Sequence, residues 1–527
     1  MSKIQNILII FFLSIFSFSI NFYFGNIGVF PIDTFAYFDT GYLILKGQIP
    51  IKDFWISTGF GVDILQSIFF KIFGINWNSY LIHSSFANMF ACLFSYFFFL
   101  KFNLNKNLIF SYCILISALL YPLVGTPFAY QHAFIFSLLG LFVLCLAIKE
   151  DKKSSWFFLP VIFLMSFLFM QTPSIYIIIL SIIIIFVNLL ISKNYKNILL
   201  LVSGSFISLI FLFLILLNFN IQFYDFLNQY IFFPSSIGLS RIFNEDSAFI
   251  ALSSNFNFKS VIGHFKFFHI LLIFLVFCLI RCPDLKEKKK NQDFIIFIII
   301  ILSSYLFIFN QLITANQTFI FSLIPILGLF AHYGISRYFN KKNYLNFFVI
   351  IIVSISSIKY FNDYVLKRKF IDLQSVDLNY AINANNLSPK FRGLKWITPV
   401  YSKNPKKEIN VINQSLTEIK ADERIKMVIT DYQFYSILLD ENLHNLNRWY
   451  THDNNSYPLN NNKYFDLYKN FINNKIKNNN IEVIYIIDSN AKNNININNF
   501  KTFLPEYCFD SVQIVEKVFS KHEINKC

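Results

Sequence analysis

Residues 7–24 read ILIIFFLSIFSFSINFYF, an apolar run without a single charged side chain. A helix that crosses a bilayer needs about 20 such residues, because unpaired backbone polar groups are costly in lipid. The proline of Gln171-Thr172-Pro173 favours two short helices there over one long helix. The sequence therefore predicts an α-helical polytopic membrane protein with about eleven transmembrane helices. The other ten runs lie near 80–100, 107–124, 131–148, 156–171, 174–192, 197–218, 267–281, 294–310, 318–335 and 344–360.

Composition indicates a membrane part followed by a soluble part. Of the 527 residues, 55% are hydrophobic and only 14% are charged, whereas soluble proteins carry about 25% charged residues. Charged and Asn-rich sequence is concentrated after residue 360, so we expect a transmembrane domain over 1–360 and a soluble domain over 361–527. The net charge of +15 does not indicate a nucleic-acid partner, because no soluble segment combines a dense basic stripe with exposed aromatic residues.

Lysine and arginine are unevenly distributed between the loops. One alternating set of loops holds clusters such as Lys149, Lys152 and Lys153, whereas the opposite set includes two short turns with none. Because basic loops stay on the cytoplasmic side, the N-terminus is predicted to be cytoplasmic and the tail from 361 external, at a bacterial-type inner membrane. The first run reads as an uncleaved signal-anchor, since no small-x-small cleavage site precedes the next loop.

The first long external loop, residues 25–79, contains the candidate catalytic acids. Asp33 precedes a stretch with Phe35, Phe38, Tyr42 and Leu45 at helical spacing, which predicts an amphipathic helix on the membrane surface. A second such helix is expected from Phe60 to Phe73. A partly desolvated carboxylate at this boundary suits a general base, and the acids of this loop are Asp33, Asp39, Asp53 and Asp63.

Each acid of this loop also has a structural interpretation. Asp33 stands where a helix N-cap belongs, two residues after a proline. Asp39 is expected on the wet face of the surface helix. Asp53 and Asp63 are equally compatible with solvated loop charges.

The second long external loop, residues 219–266, supplies Arg241, the only arginine in the external loops of the membrane part. A guanidinium near the interface is suited to bidentate contact with a phosphate. The alternatives are a headgroup anchor or a salt bridge with Glu245 or Asp246. Further candidates for phosphate or substrate binding are Lys52, His83 and His132, and either histidine is equally compatible with a hydrogen-bonded interfacial role.

The tail alternates helical and apolar strand segments, which predicts a small α/β layer with parallel strands. Helices are expected at 406–420, 432–440, 463–478 and 498–504, and strands at 426–430, 482–487 and 512–519. Trp396 and Trp449 are candidates for stacking on a sugar or contacting the acceptor, against the alternative of ordinary core aromatics. Cys508 and Cys527 form a disulfide if the tail is external, or remain two free thiols.

The order of elements resembles the GT-C superfamily of membrane glycosyltransferases, which includes protein mannosyltransferases and aminoarabinose transferases. The similar text runs from Ile32-Asp33-Thr34 through Lys46-Gly47-Gln48-Ile49-Pro50 and Lys52-Asp53 to Phe73-Gly74. The resemblance implies inverting transfer of a sugar from a polyprenyl-phosphate donor to a lipid, glycan or protein acceptor, with Asp33 as the base and Asp53 as a second acid of the pocket.

Two departures qualify what the resemblance implies. Thr34 stands where many members have a Glu, and the Asp-x-Asp pattern of the metal-dependent oligosaccharyltransferases is missing, so no required metal or other cofactor is expected. Two other functions remain open. A polysaccharide polymerase or ligase would rely on external arginines and a histidine. A non-enzymatic protein is either a transporter, which the near absence of charged residues from the centres of the spans disfavours, or a scaffold whose tail binds a partner.

Overall fold

Long apolar helices dominate the chain. The computed structural model describes residues 3–243, 256–282, 288–314, 320–339, 342–452, 454–488, 495–515 and 517–527. The helices up to residue 218 are α1 (Lys3–Gly25), α2 (Pro31–Thr34), α3 (Ala36–Leu45), α4 (Gly61–Phe73), α5 (Trp77–Leu100), α6 (Lys106–Leu119), α7 (Ala129–Glu150), α8 (Lys153–Phe169), α9 (Gln171–Ser192) and α10 (Lys196–Asn218). Those of the second loop and the later spans are α11 (Phe223–Phe226), α12 (Phe233–Phe243), α13 (Lys266–Ile280), α14 (Lys288–Ile313), α15 (Leu323–Tyr338) and α16 (Lys342–Tyr360).

Each of the eleven predicted spans coincides with one of these helices, which confirms the prediction of a polytopic helical protein. Within the described residues, seven helices are long and apolar enough to cross a membrane, namely α1, α5, α7, α9, α10, α14 and α16. Three shorter apolar helices are α6, α8 and α13. The break between α8 and α9 is also confirmed, because Met170 and Thr172 are both extended and end the helical hydrogen-bond pattern there.

The first loop packs directly onto the helical bundle. Gly59 lies so close to the carbonyl oxygens of Leu168 and Phe169 that a Cβ at this position would clash with backbone atoms. Gly61 likewise packs on the ring of Phe169. These two glycines allow the start of α4 to sit against the end of α8, which fixes the height of the first loop over the bundle.

The tail carries the helices α17 (Pro405–Ala421), α18 (Tyr435–Leu439), α19 (Phe465–Asn479) and α20 (Ile497–Lys501). Its six strands are β1 (Ile382–Asn383), β2 (Lys395–Trp396), β3 (Lys426–Thr430), β4 (Val483–Ile487), β5 (Tyr507–Val515) and β6 (Phe519–Lys526). Strands β1 and β2 form a small antiparallel pair, and the other four form a sheet in the order β3-β4-β6-β5. The α/β class of the tail is confirmed.

Only one pair of the four-stranded sheet is parallel. Strands β3 and β4 are parallel and buried throughout, as their apolar sequences suggest, while β6 is antiparallel to both β4 and β5. The prediction of a single strand over 512–519 is wrong, because Lys517 adopts a positive φ of 59° and the chain turns there into a hairpin. A disulfide joins Cys508 in β5 to Cys527 after β6.

Backbone hydrogen bonds connect the first loop to the tail at two places. The amide of Lys395 donates to the Asn26 carbonyl at 2.8 Å, and Gly28 donates back to the Lys395 carbonyl at 3.0 Å. Farther along, Trp55 donates to Leu446 at 2.7 Å, and Arg448 donates to Trp55 at 3.2 Å. The tail therefore covers the first loop and carries residues 446–449 to its inner side.

This cover changes the position expected for α3. Residues 36–43 are all buried, and Asp39 is fully buried beneath the tail, where its carboxylate accepts a hydrogen bond from Asn445 Nδ2 at 2.5 Å. The prediction that α3 lies on the membrane surface with Asp39 on its wet face is therefore wrong. The amphipathic pattern was real, but its polar side faces another protein layer.

Candidate active site

Asp33 lies in the short helix α2 and does not cap it. The N-cap residue is Phe30, which makes no side-chain cap hydrogen bond, and Pro31 occupies the first helical position. The Phe30 amide instead donates to the hydroxyl of Thr34 at 2.9 Å. The N-cap interpretation of Asp33 is wrong, and its carboxylate is left to project from the helix.

The surroundings of Asp33 raise the pKa of its carboxyl group towards neutral pH. Burial raises its pKa to about 7, the side chain of Trp449 lowers it, and the charge of Asp372 raises it further. The residue is nevertheless partly exposed, so protein packs around it without closing it off completely. The indole N–H of Trp449 is buried and approaches Asp33 without forming a hydrogen bond of sound geometry. A carboxylate with these properties can accept a proton at neutral pH.

Tyr130 interacts with the side chain of Arg241 and also with the charge of Asp33. The guanidinium of Arg241 donates to the Ile313 carbonyl at 3.2 Å and to Asn455 Oδ1 at 2.5 Å, which joins the bundle to the tail. Its Nε is buried without a hydrogen-bond partner. None of the carboxylates that the structure describes pairs with Arg241, and Glu245 and Asp246, the salt-bridge alternatives, lie outside the described residues. A guanidinium with one unpaired donor is thus held beside Tyr130, which also senses the charge of Asp33.

A fully buried ion pair forms the wall beside Asp33. Arg448 Nη2 lies 2.5 Å from Asp63 Oδ2, and both side chains are completely inaccessible to solvent. Arg448 also donates to Thr58, and its guanidinium carbon lies 4.9 Å from the centre of the Tyr37 ring and 5.3 Å from that of Trp449. Asp63 is therefore not a solvated loop charge. It holds the tail residues that contact Asp33.

The pKa of Asp63 reflects two opposing influences. Burial raises it to about 6, while the positive charge of Arg448 and a hydrogen bond from Thr40 lower it. An arginine does not lose its proton in a protein, so only Asp63 can change its charge. The ion pair therefore exists only while Asp63 is ionised.

Asp53, the second predicted acid, is engaged in its own turn. Its Oδ2 accepts a hydrogen bond from the Ile49 amide at 2.7 Å, and its carbonyl accepts one from Lys475. No hydrogen bond or ion pair between described residues connects Asp53 to Asp33. The neighbouring Lys52 is exposed. The structure does not bring this pair of residues together with Asp33.

The two candidate histidines are buried beneath the first loop. His83 Nδ1 lies 2.9 Å from Gln66 Oε1, His132 Nδ1 lies 2.7 Å from the hydroxyl of Tyr121, and the two rings are 4.9 Å apart. Both histidines are buried, with only 2% of their surface exposed to solvent. They belong to an internal polar layer and do not reach the accessible side of Asp33.

The two candidate tryptophans of the tail differ. Trp396 is fully buried, its ring packs 5.7 Å from that of Phe35, and its indole nitrogen donates to Glu408 at 2.8 Å. It is a core aromatic, so the prediction of a sugar contact is wrong for Trp396. Trp449 is partly exposed and lies against Asp33, so its role as a sugar or acceptor contact stays a prediction.

Three residues of the site were not singled out from the sequence. They are Asp372, Tyr130 and Arg448, the partner of Asp63. Asp372 is an exposed residue of the tail with a left-handed conformation, and it carries no motif that marks it. Arg448 stands beside Trp449 in the sequence, yet only the fold shows that it reaches Asp63. Among the described residues, no group of three His, Cys, Asp or Glu side chains is placed to hold a metal ion.

Comparisons with known proteins give similarities among the solved structures. A search of solved structures finds ArnT from Cupriavidus metallidurans bound to undecaprenyl phosphate, at 10% identity and a TM-score of 0.47, covering 99% of this chain and 98% of that chain. No protein-family model matches, and no curated protein matches. At this identity and TM-score the similarity assigns no activity, so the case for a function comes from the side chains around Asp33.

Proposed function

We propose that the protein is a membrane glycosyltransferase of the GT-C type, in which Asp33 is the general base. The observation that supports this proposal is the partly exposed Asp33 carboxylate, whose pKa of about 7 suits proton transfer, next to the partly exposed Trp449. The substrates would be a polyprenyl-phosphate-linked sugar and a lipid, glycan or protein acceptor, at the external face of the inner membrane. Trp449 would contact the sugar or the acceptor.

The reaction follows from these roles. The acceptor's hydroxyl or amine gives its proton to Asp33 while its oxygen or nitrogen bonds to the anomeric carbon of the sugar. The bond between that carbon and the phosphate oxygen breaks, and the electron pair leaves with the polyprenyl phosphate. The departing phosphate gains negative charge, which the guanidinium of Arg241, with its unpaired Nε, would stabilise. Attack from the side opposite the phosphate inverts the anomeric configuration.

The test is transfer from a polyprenyl-phosphate sugar in membranes containing Asp33→Asn. We expect a loss of at least about 100-fold, because general-base catalysis contributes about 10²–10⁴-fold. Asp372→Asn is the matched control, since it removes a neighbouring carboxylate that is exposed. Transfer by Asp33→Asn at the wild-type rate would remove Asp33 as the base.

The second candidate function is a polysaccharide polymerase or ligase. The observation that favours it is the buried, unpaired Nε of Arg241. Such an enzyme would rely on the external arginine and not on the acid. If Arg241→Ala abolished activity while Asp33→Asn left it intact, this second function would replace the first.

A further inference from the structure

A groove of about 340 Å³ lies outside the Asp33 site, between the tail-side half of α1 and the turn that leads into β2. Its volume is within the range of about 300–1,000 Å³ typical of small-molecule sites. The residues that matter for its chemistry are Phe18, Ser19, Phe22, Tyr23, Asn26 and Lys395.

The groove changes from apolar to polar along its length. At its inner end the rings of Phe18 and Phe22 stack at 6.0 Å along one face of α1. At its outer end α1 stops at Gly25, and Asn26 and Lys395 follow. Most of α1 is not covered by protein, so this face meets lipid. An amphiphile with its chain at the phenylalanines and its head at the lysine fits this gradient.

The polar end presents a positive charge that the described part of the chain does not use. The carboxamide of Asn26 is occupied, because its Oδ1 accepts from Trp77 at 3.0 Å and its Nδ2 donates to the Phe22 carbonyl at 2.9 Å. The Lys395 side chain is exposed and makes no hydrogen bond or ion pair with a described residue. Its backbone is fixed by the hydrogen bonds to Asn26 and Gly28. The ammonium group is therefore anchored at the groove without a partner of its own.

The charge around the groove has a single sign. Arg392 is exposed in the same turn as Lys395, and no acidic residue lines the groove. Basic side chains at a membrane surface attract anionic lipid headgroups. We propose that this groove binds a phospholipid with an anionic headgroup from the tail-side leaflet, with its phosphate at Lys395 and one acyl chain along Phe18 and Phe22. The site is independent of the sugar-transfer function.

A photoactivatable phosphatidylglycerol with a diazirine in its acyl chain tests this assignment on the full-length protein. The probe is diluted into phosphatidylcholine vesicles that contain the protein, and the labelled peptides are identified by mass spectrometry. We expect labelling on α1 around Phe18 and Phe22, with a phosphatidylcholine probe labelling less. Removal of one basic contact is worth about 1 kcal/mol at a membrane surface, so Lys395→Glu should reduce the labelling at least fivefold.

Two further variants keep the test decisive. Lys403→Glu makes the same charge change at an exposed lysine of the tail outside the groove and should label as wild type. Ser19→Trp fills the groove from an exposed position of α1 and should abolish labelling by either probe. Equal labelling by both probes, or unchanged labelling of Lys395→Glu, overturns the proposal. Displacement of the probe by a polyprenyl phosphate but not by unlabelled phosphatidylglycerol would instead assign the groove to the isoprenoid chain.

Discussion

Breaking the buried ion pair between Asp63 and Arg448 should lower the thermal stability of the protein, because this pair joins the first loop to the tail. Both side chains are fully buried, and the pair joins α4 of the first loop to the tail across a distance of 2.5 Å. Removing one partner of such a pair costs about 3–5 kcal/mol, because a charge is left buried without compensation. Two single substitutions, Arg448→Met and Asp63→Asn, each leave a different group behind.

The two variants should respond differently to pH. In Arg448→Met the remaining Asp63 can take up a proton, because burial already raises its pKa to about 6 and the arginine that lowers it is gone. The destabilisation should therefore be small in mild acid and grow as the pH rises through neutrality. In Asp63→Asn the remaining guanidinium cannot lose its proton, and one acceptor oxygen replaces the two that serve Arg448 and Thr40. That loss should be nearly independent of pH.

Thermal unfolding of the purified protein in detergent, followed by tryptophan fluorescence at several pH values, measures these differences. The double variant should be more stable than the sum of the single losses predicts, since it removes both charges together. Lys46→Met is the control, because Lys46 and Asp440 also join the first loop to the tail at 2.9 Å but are 48% and 64% exposed. An exposed pair contributes about 0–1 kcal/mol. If Lys46→Met and Arg448→Met lowered the midpoint equally, the reasoning from burial would be refuted.

Two further predictions concern the base and the packing of the first loop. Asp33 must be ionised to act, so the rate of sugar transfer should rise with pH around a midpoint near its pKa of about 7. Asp372→Asn should move that midpoint lower and Trp449→Phe should move it higher. Initial rates across the neutral range measure both shifts, and shifts of opposite sign would contradict the assignment. Gly59→Ala should lower the thermal midpoint, at a cost of about 1–3 kcal/mol, because its Cβ meets the backbone of α8. In Gly238→Ala the new Cβ meets open space in α12, so the thermal midpoint should stay unchanged or rise. If both glycine variants changed the midpoint equally, the close contact at Gly59 would not be the cause of the loss.

The helical part of the fold was predictable because its signals are local. Each apolar run had to become a helix in order to pair its own backbone groups, so all eleven runs appear where the sequence places them. The strands β3 and β4 were predictable for a similar reason, since an apolar strand buried on both faces shows no alternation. The hairpin of β5 and β6 was not predicted, because many of its residues are polar and partly exposed. The one apolar segment, 512–519, therefore predicts a single strand, although the turn of the hairpin lies within it.

The site was only partly predictable, because its residues come from distant parts of the chain. Asp33 could be singled out from its position after a span and a proline, and the structure places it at an accessible spot. Asp39 and Asp63 were misjudged because amphipathic spacing shows that one face is polar without showing whether water or protein covers it. The sequence contains no local signal that pairs Asp63 with Arg448. That pairing follows from the backbone ladders that bring residue 448 beside Trp55.

The ladders between the first loop and the tail also govern how the protein is made. Asp33 leaves the ribosome long before Asp372, Arg448 and Trp449, which complete its surroundings. During most of synthesis α3 and α4 lack their cover, and Asp39 and Asp63 have not yet met their tail partners. A nascent chain that stops after the last span can insert all of its spans and still lack Asp372 and Trp449, which shift the pKa of Asp33 in opposite directions. Assembly of the site thus depends on synthesis of the tail as far as Trp449, which ties the proposed activity to a segment made after every span.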